Sequence, residues 1–318
     1  MTTQVLYVDF SADKSVRITS AAPGVRPPHA SLYHCASLDE LDHSLHDYLD
    51  RVQNPGLIGA ALSVCGWERE GGFEMPDHSY FMDRAWVKER LNISRLHLVN
   101  DCVASALAIE RLEAPERSII CEGHDDPTQI KAMIAIGRSL GTTCIVTDEL
   151  GAVTALPSAG GHSDLPSTTE REFKVYKIMS DTYGHVSRVR AVSTAGLAAV
   201  YNALNTIDGR PVGAIDAHGV VELARNADPY AGEAVDMVTG WLAATASDTA
   251  LINGARGGIF LAGSFFDVLG DMFDPALFAR RFCAKGRLEK YLEDISVYLV
   301  KVHEPEMVGL STLFSDLG

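Results

Sequence analysis

The residues best placed to do chemistry are Asn100 and Asp101, the polar pair that ends the run LHLVND and leads into CVASALAIERL. The first run reads as a strand and the second as a helix, and a strand opening at its C-terminal end onto a helix is a favoured ligand site in an α/β sheet. An aspartate at that junction is placed to accept a proton from a bound hydroxyl. The same pair suits an N-terminal helix cap equally well, so both roles stay open on the residues alone. Three further segments bring small and polar groups together. LPSAGGH at 156–162 is a Gly-rich turn ending in a histidine, YGHVS at 183–187 precedes the helical AGLAAVYNAL, and GGIFLAGS at 257–264 is a strand with small residues at its end.

The elements that must position these groups follow from patterning. VLYVDF and SVRITSA read as two short strands joined by a tight turn. LDELDHSLHDYLDRV has helical apolar spacing and an acidic first turn, and LIGAALSV is a continuous apolar run that suits a buried strand. SIICE, IKAMIAIG and TTCIVTD form a second strand set. EREFKVYKIMSDTYG reads as an exposed helix, residues 220–252 as a pair of packed helices, and ISVYLVKV as a late strand. Strands and helices alternate along much of the chain, which gives an α/β class with mixed sheets. There is no internal repeat, low-complexity tract or long linker.

Composition narrows the function classes. A chain of 318 residues, 47% hydrophobic and 22% charged, suits one large or two modest domains and argues against disorder. No apolar run reaches the roughly 18 to 20 residues of a membrane helix, and the N-terminus lacks a secretory pattern. The six cysteines, at 35, 65, 102, 121, 144 and 283, stand singly, as in a reduced cytoplasmic protein without disulfides or a zinc site. No metal-ligating set is read. A formal net charge of −15 repels phosphate backbones, so nucleic acid is not an expected partner, nor is a membrane.

Taken in order, the ND pair, LPSAGGH, YGHVS, GGIFLAGS, KGRLEKYLEDISVYLV and the C-terminal EPEMVG resemble the bacterial glucokinase family of the hexokinase and actin-like ATPase superfamily, over nearly the whole chain. That resemblance implies a two-domain α/β fold with sugar and ATP in the cleft between domains. The small domain would comprise residues 1–110 with 300–318, and the large domain 111–299. It also implies a homodimer, a small-molecule sugar as ligand, and ATP with Mg²⁺ as cofactors. By the same resemblance, Asp101 is the general base for the glucose 6-hydroxyl. Asn100, Gly161, His162 and, in MPDHSYF, Asp77 and His78 contact the sugar. Asp9, Lys14, Gly137, Gly141, Thr142, Gly263 and Ser264 lie on the nucleotide side.

The chain departs from the family pattern at ligand positions. A DxGGTN loop is DFSADKS here, with Ser11 and Ala12 in place of the glycines and Asp13 following. A GxGTGLG loop is GRSLGTT, with Leu140 at the threonine position, and an AGG motif is AGS. Two sugar-binding glutamates are replaced by Ala159 and Val189. Arg188 and Arg190 are not substitutes for them, because a guanidinium accepts no hydrogen bond. Three readings follow: a glucose kinase, a catalytically silent sugar-binding or regulatory relative, and a kinase for an anionic sugar met by Arg188 or Arg190.

Overall fold

The alternating N-terminal run becomes β1 (Gln4–Phe10), which folds back antiparallel on β2 (Ser15–Ala21), with Val5 opposite Ala21 and Phe10 opposite Val16. The computed structural model describes residues 3–10, 13–76, 78, 80–124 and 126–315. After β3 (Ser31–His34), Ser37 caps α1 (Leu38–Arg51) by accepting the Glu40 N–H. LIGAALSV is β4 (Leu57–Val64), followed by a meander of β5 (Trp67–Arg69), β6 (Gly72–Met75) and β7 (Tyr80–Asp83). Next come α2 (Arg84–Leu91), β8 (Arg95–Asn100) and α3 (Asp101–Leu107). CVASALAIERL is α-helical only to Leu107 and tightens to a 3-10 turn over Ala108–Arg111.

The second element set begins with β9 (Arg117–Cys121), β10 (Lys131–Ile136), β11 (Leu140–Thr147) and β12 (Val153–Ser158). Helices α4 (Glu170–Tyr183), α5 (Arg188–Ala191), α6 (Thr194–Ile207), α7 (Ala217–Arg225) and α8 (Pro229–Asn253) follow. The chain continues through β13 (Ile259–Ala262), α9 (Phe265–Leu269), α10 (Pro275–Cys283), α11 (Glu289–Glu293) and β14 (Val297–Val300), then ends in α12 (Pro305–Thr312). The predicted exposed helix, α4, is only half exposed: Glu172, Val175 and Met179 are buried. Its apolar stripe is narrow, which made it read as solvated.

The chain divides into two compact units, residues 1–112 with 304–318 and residues 113–303. In the first, a five-stranded sheet runs β3-β2-β1-β4-β8, with β1, β4 and β8 parallel, and β5-β6-β7 form a small sheet of their own. One sheet face carries Leu6, Val8, Leu62 and Leu98 against α1 and α2 residues. The other carries Val5, Tyr7 and Ala61, covered by Ala104 of α3 and Met307, Leu310 and Phe314 from the C-terminal segment. The second unit holds a six-stranded sheet, β12-β11-β10-β13-β14-β9, covered by α-helices with the fully buried Trp241 of α8 in the core.

The C-terminal helix completes the first unit by close backbone contact. A Cβ on Gly309 would stand 1.7 Å from the Ala104 carbonyl oxygen, so only glycine lets α12 lie against α3 at this depth. Replacing Gly309 by alanine is expected to cost about 2–3 kcal/mol through overpacking. A thermal melt would show this as a lowered Tm, and an unchanged Tm would mean the two helices separate freely.

Candidate functional site

In the first unit, the parallel strands β1, β4 and β8 end together, and the chain turns from β8 directly into α3. Asn100 supplies the cap: its Oδ1 accepts the Cys102 N–H at 2.9 Å while its Nδ2 donates to the Gly66 carbonyl at 2.8 Å. The same amide also hydrogen-bonds the Asp101 carboxyl. Asp101, the first residue of α3, is half-buried, and its Oδ1 also accepts the Cys102 N–H at 2.9 Å. Burial raises its proton affinity above the usual aspartate value, opposed by hydrogen bonds from the Cys102 amide and the Cys65 thiol. A helix start with a separate capping residue therefore presents a carboxylate whose basicity is increased.

Asp9, at the end of β1, is buried and accepts a 3.1 Å bond from Arg17 Nη1. Burial pushes its carboxyl up to about 6, Arg17 acts in the opposite direction, and Asp101 adds to the rise. Lys14 sits in a left-handed turn, φ 67°, held by a bond from the Cys35 amide to its carbonyl at 2.8 Å. It makes no ion pair among the described residues. Asp13 bonds the Ser15 amide at 2.9 Å, so its charge is partly satisfied locally. His78 is enclosed, 1% exposed, with its ring edge-on to Phe10 at 5.8 Å and to Tyr80 at 5.6 Å. The ring is thus enclosed between two aromatic side chains. Asp77 lies outside the described residues.

In the second unit, parallel β10 and β13 end side by side, which gathers Gly137, Gly263 and Ser264. Gly263 has φ +109°, and a Cβ there would lie 2.1 Å from the Ile136 carbonyl oxygen. Ser264 Oγ would stand 3.1 Å from a Cβ on Gly137. The Gly137 carbonyl accepts the Thr194 N–H at 3.0 Å at the start of α6, whose first turn carries no acidic residue. Backbone without side chains beside a helix N-terminus is a surface that suits an anionic phosphate.

The rest of GRSLGTT does not form an open loop. Gly137, Arg138 and Ser139 are the three-residue turn of a hairpin, with Ile136 opposite Leu140 and a Gly137 N–H bond to Ser139 at 2.9 Å. Gly141 and Thr142 are already in β11. Thr142 is buried with its hydroxyl 2.6 Å from Ser158, so it is committed inside the sheet. The backbone that the sequence suggested for phosphate is thus divided, with Gly137 at the glycine cradle and Gly141 and Thr142 in the strand.

LPSAGGH ends β12 and forms a 3-10 turn, Gly160–His162. Gly161 is buried against the Leu140 carbonyl, while His162 and Ala159 are exposed. Ser163 accepts the Arg188 N–H at 2.9 Å, which sets α5 and Val189 beside this turn. Arg188 itself points a guanidinium at Asp248, 2.8 Å, and Lys285 pairs with the same carboxylate. Arg190 is exposed and lies 4.4 Å over the Tyr183 ring. Arg188 is therefore already partnered, which weakens the anionic-sugar reading.

Sequence reasoning missed Arg17, which partners Asp9 from β2, and Glu306 of α12, whose Oε1 accepts a 2.7 Å bond from Ser105 of α3. An alternating strand gave no sign of the first. The second required contact between residues 201 positions apart. Among the described residues no group of three or more His, Cys, Asp or Glu is arranged to hold a metal ion.

These two α/β units define a two-domain hexokinase-type protein of the actin-like ATPase fold. The crystal structure of a glucokinase from an Antarctic psychrotroph superposes with TM-score 0.87 at 22% identity, covering 98% of this chain and 99% of that one. A ROK family glucokinase from Streptomyces griseus, solved with glucose and AMPPNP, superposes with TM-score 0.66 at 14% identity over 98% and 99% of the two chains. The glucokinase family model matches residues 14–317, and the chain belongs to the glucokinase family. It is 33% identical over 304 residues to a glucokinase-like protein of Caulobacter vibrioides, covering 95% of this chain and 94% of that protein. It is 31% identical over 289 residues to a glucokinase of Pseudomonas paraeruginosa, covering 90% and 85%.

Proposed function

We propose that this chain is a hexose kinase that transfers the terminal phosphoryl group of ATP to the 6-hydroxyl of glucose. The observation that carries the reading is Asp101, a carboxylate of raised basicity at a helix start whose capping is done by Asn100. The residues present suit a nucleotide where Gly137, Gly263 and the start of α6 meet, since the two glycines bring backbone close there and the first turn of α6 carries no acid. When bound, MgATP supplies the reactive phosphoryl group and the cation that offsets its charge. Asp101 takes the proton of the sugar hydroxyl, and Asn100 beside it contacts a neighbouring hydroxyl. His162, exposed at its turn, contacts the sugar, and Lys14 provides a cation on the phosphate side. The intended site is the reduced cytoplasm, and the active form is a homodimer.

Glucose 6-phosphate formation measured with a coupled dehydrogenase, with MgATP and high enzyme concentration, tests the reading. Turnover that saturates with glucose supports it, and no turnover across hexoses sinks it. A second reading, a silent sugar-binding relative, is favoured by one observation: Thr142 and the hairpin turn leave few groups for phosphate. That reading expects calorimetric glucose binding without turnover.

A further inference from the structure

The C-terminal helix brings a carboxyl into the neighbourhood of Asp101 that the catalytic reading does not use. Asp101 and Ser105 are four residues apart on α3 and so share a helix face. Ser105 Oγ donates to Glu306 Oε1 of α12 at 2.7 Å, just where Gly309 lets the two helices touch. α12 packs against α3, the 3-10 turn that follows it, β1 and β4. The charged groups facing Glu306 can be named element by element. β1 brings Asp9 and α3 brings Asp101, while β4 has no ionisable side chain. The 3-10 turn brings Glu110 and Arg111, and Arg111 is engaged by the Gly24 carbonyl and Ser315. At the start of α12 itself, Glu304 pairs with Arg17 at 3.3 Å, the same guanidinium that serves Asp9. Arg17 therefore serves two of the four carboxyls here, Asp9 and Glu304.

We propose that Glu306 is a positioning residue for Asp101: with a proton its carboxyl holds α12 against the face of α3 that carries the base, and as a carboxylate it loosens that hold. A neutral carboxyl accepts the Ser105 bond and adds no charge. A carboxylate adds a third negative charge to Asp9 and Asp101, and the repulsion acts between α12 and the elements it must pack on. Burial, with Asp9 and then Asp101 adding repulsion, pushes the Glu306 carboxyl up to about 8, while the Ser105 bond acts in the opposite direction. A raised carboxyl favours the folded state while it is protonated. That stability is complete below the ordinary glutamate value of 4.5 and is lost as pH rises to about 8.

The test is a set of thermal melts from pH 6 to pH 9 on the full chain, comparing wild type, Glu306→Gln and Ser105→Ala. Wild type is expected to lose on the order of 5 °C of Tm more than Glu306→Gln across this range. Ser105→Ala, which removes a bond that favours the carboxylate, is expected to move the loss to higher pH. Equal pH dependence in wild type and Glu306→Gln would overturn the proposal. The link to Asp101 rests on the kinase reading and has its own readout. The ratio of kcat at pH 8.5 to kcat at pH 6.5 is expected to fall in wild type and stay level in Glu306→Gln; equal ratios would leave Glu306 a stabilising group with no hold on the base. If neither protein turns over, the kinase reading fails, and the melts still decide whether Glu306 carries the proton.

Discussion

Replacing Asp101 by asparagine is expected to lower kcat for glucose phosphorylation by about 10²–10⁴-fold, with KM for glucose changed far less. The substitution keeps the size of the side chain and an oxygen for the Cys102 N–H, and removes only the ability to take a proton. Stability should barely change, because the principal cap of α3 is Asn100. Asn100→Ala separates the two roles: it is expected to cost about 1 kcal/mol of stability as a lost cap. If Asp101→Asn instead lowers Tm and leaves kcat intact, Asp101 is a structural residue. The pH profile adds a sign. Burial keeps the Asp101 carboxyl protonated to higher pH than an ordinary aspartate, and the protonated form cannot accept a proton. The rate should therefore rise with pH through an apparent pKa above 3.8 and lose that limb in the asparagine variant.

Much of the fold was legible because each element was encoded by its own residues. VLYVDF and SVRITSA alternate and pair as β1 and β2, LIGAALSV is a buried central strand, and residues 220–252 form the helix pair α7 and α8. The junction at Asn100 and Asp101 was equally local, since a strand, two polar residues and a helix are adjacent in the chain. What could not be read depends on contacts between distant segments. Glu306 meets Ser105 only because Gly309 brings α12 onto α3, and His78 is buried only because Phe10 and Tyr80 close around it. GRSLGTT looked like a loop by its glycines. Yet Leu140 is 2% exposed, and burying it pulls Gly141 and Thr142 into the β11 ladder. A competing strand pairing decided the loop, and no motif of small residues reveals that beforehand.

Restoring one sugar carboxylate by Ala159→Glu is expected to tighten glucose binding by about 10–100-fold. A hydrogen bond from a hydroxyl to a carboxylate contributes about 1.5–3 kcal/mol, and about 1.4 kcal/mol is a factor of ten. The position can take the change. Ala159 is exposed, and its carbonyl already accepts the His162 N–H at 2.9 Å, so the turn keeps its shape whatever side chain it bears. Val189→Glu is the harder substitution, because Val189 packs partly against the core of the second unit. A charge there must find a sugar hydroxyl or pay desolvation. Calorimetry of glucose binding on Ala159→Glu in an Asp101→Asn background measures affinity with turnover suppressed. A gain of an order of magnitude would mean that the turn ending in His162 faces the sugar, and that binding was lost through the side chain while the backbone stayed in place. No gain in a folded variant would mean that Gly160–His162 lies away from the ligand, and the sugar reading of Gly161 and His162 would fall with it.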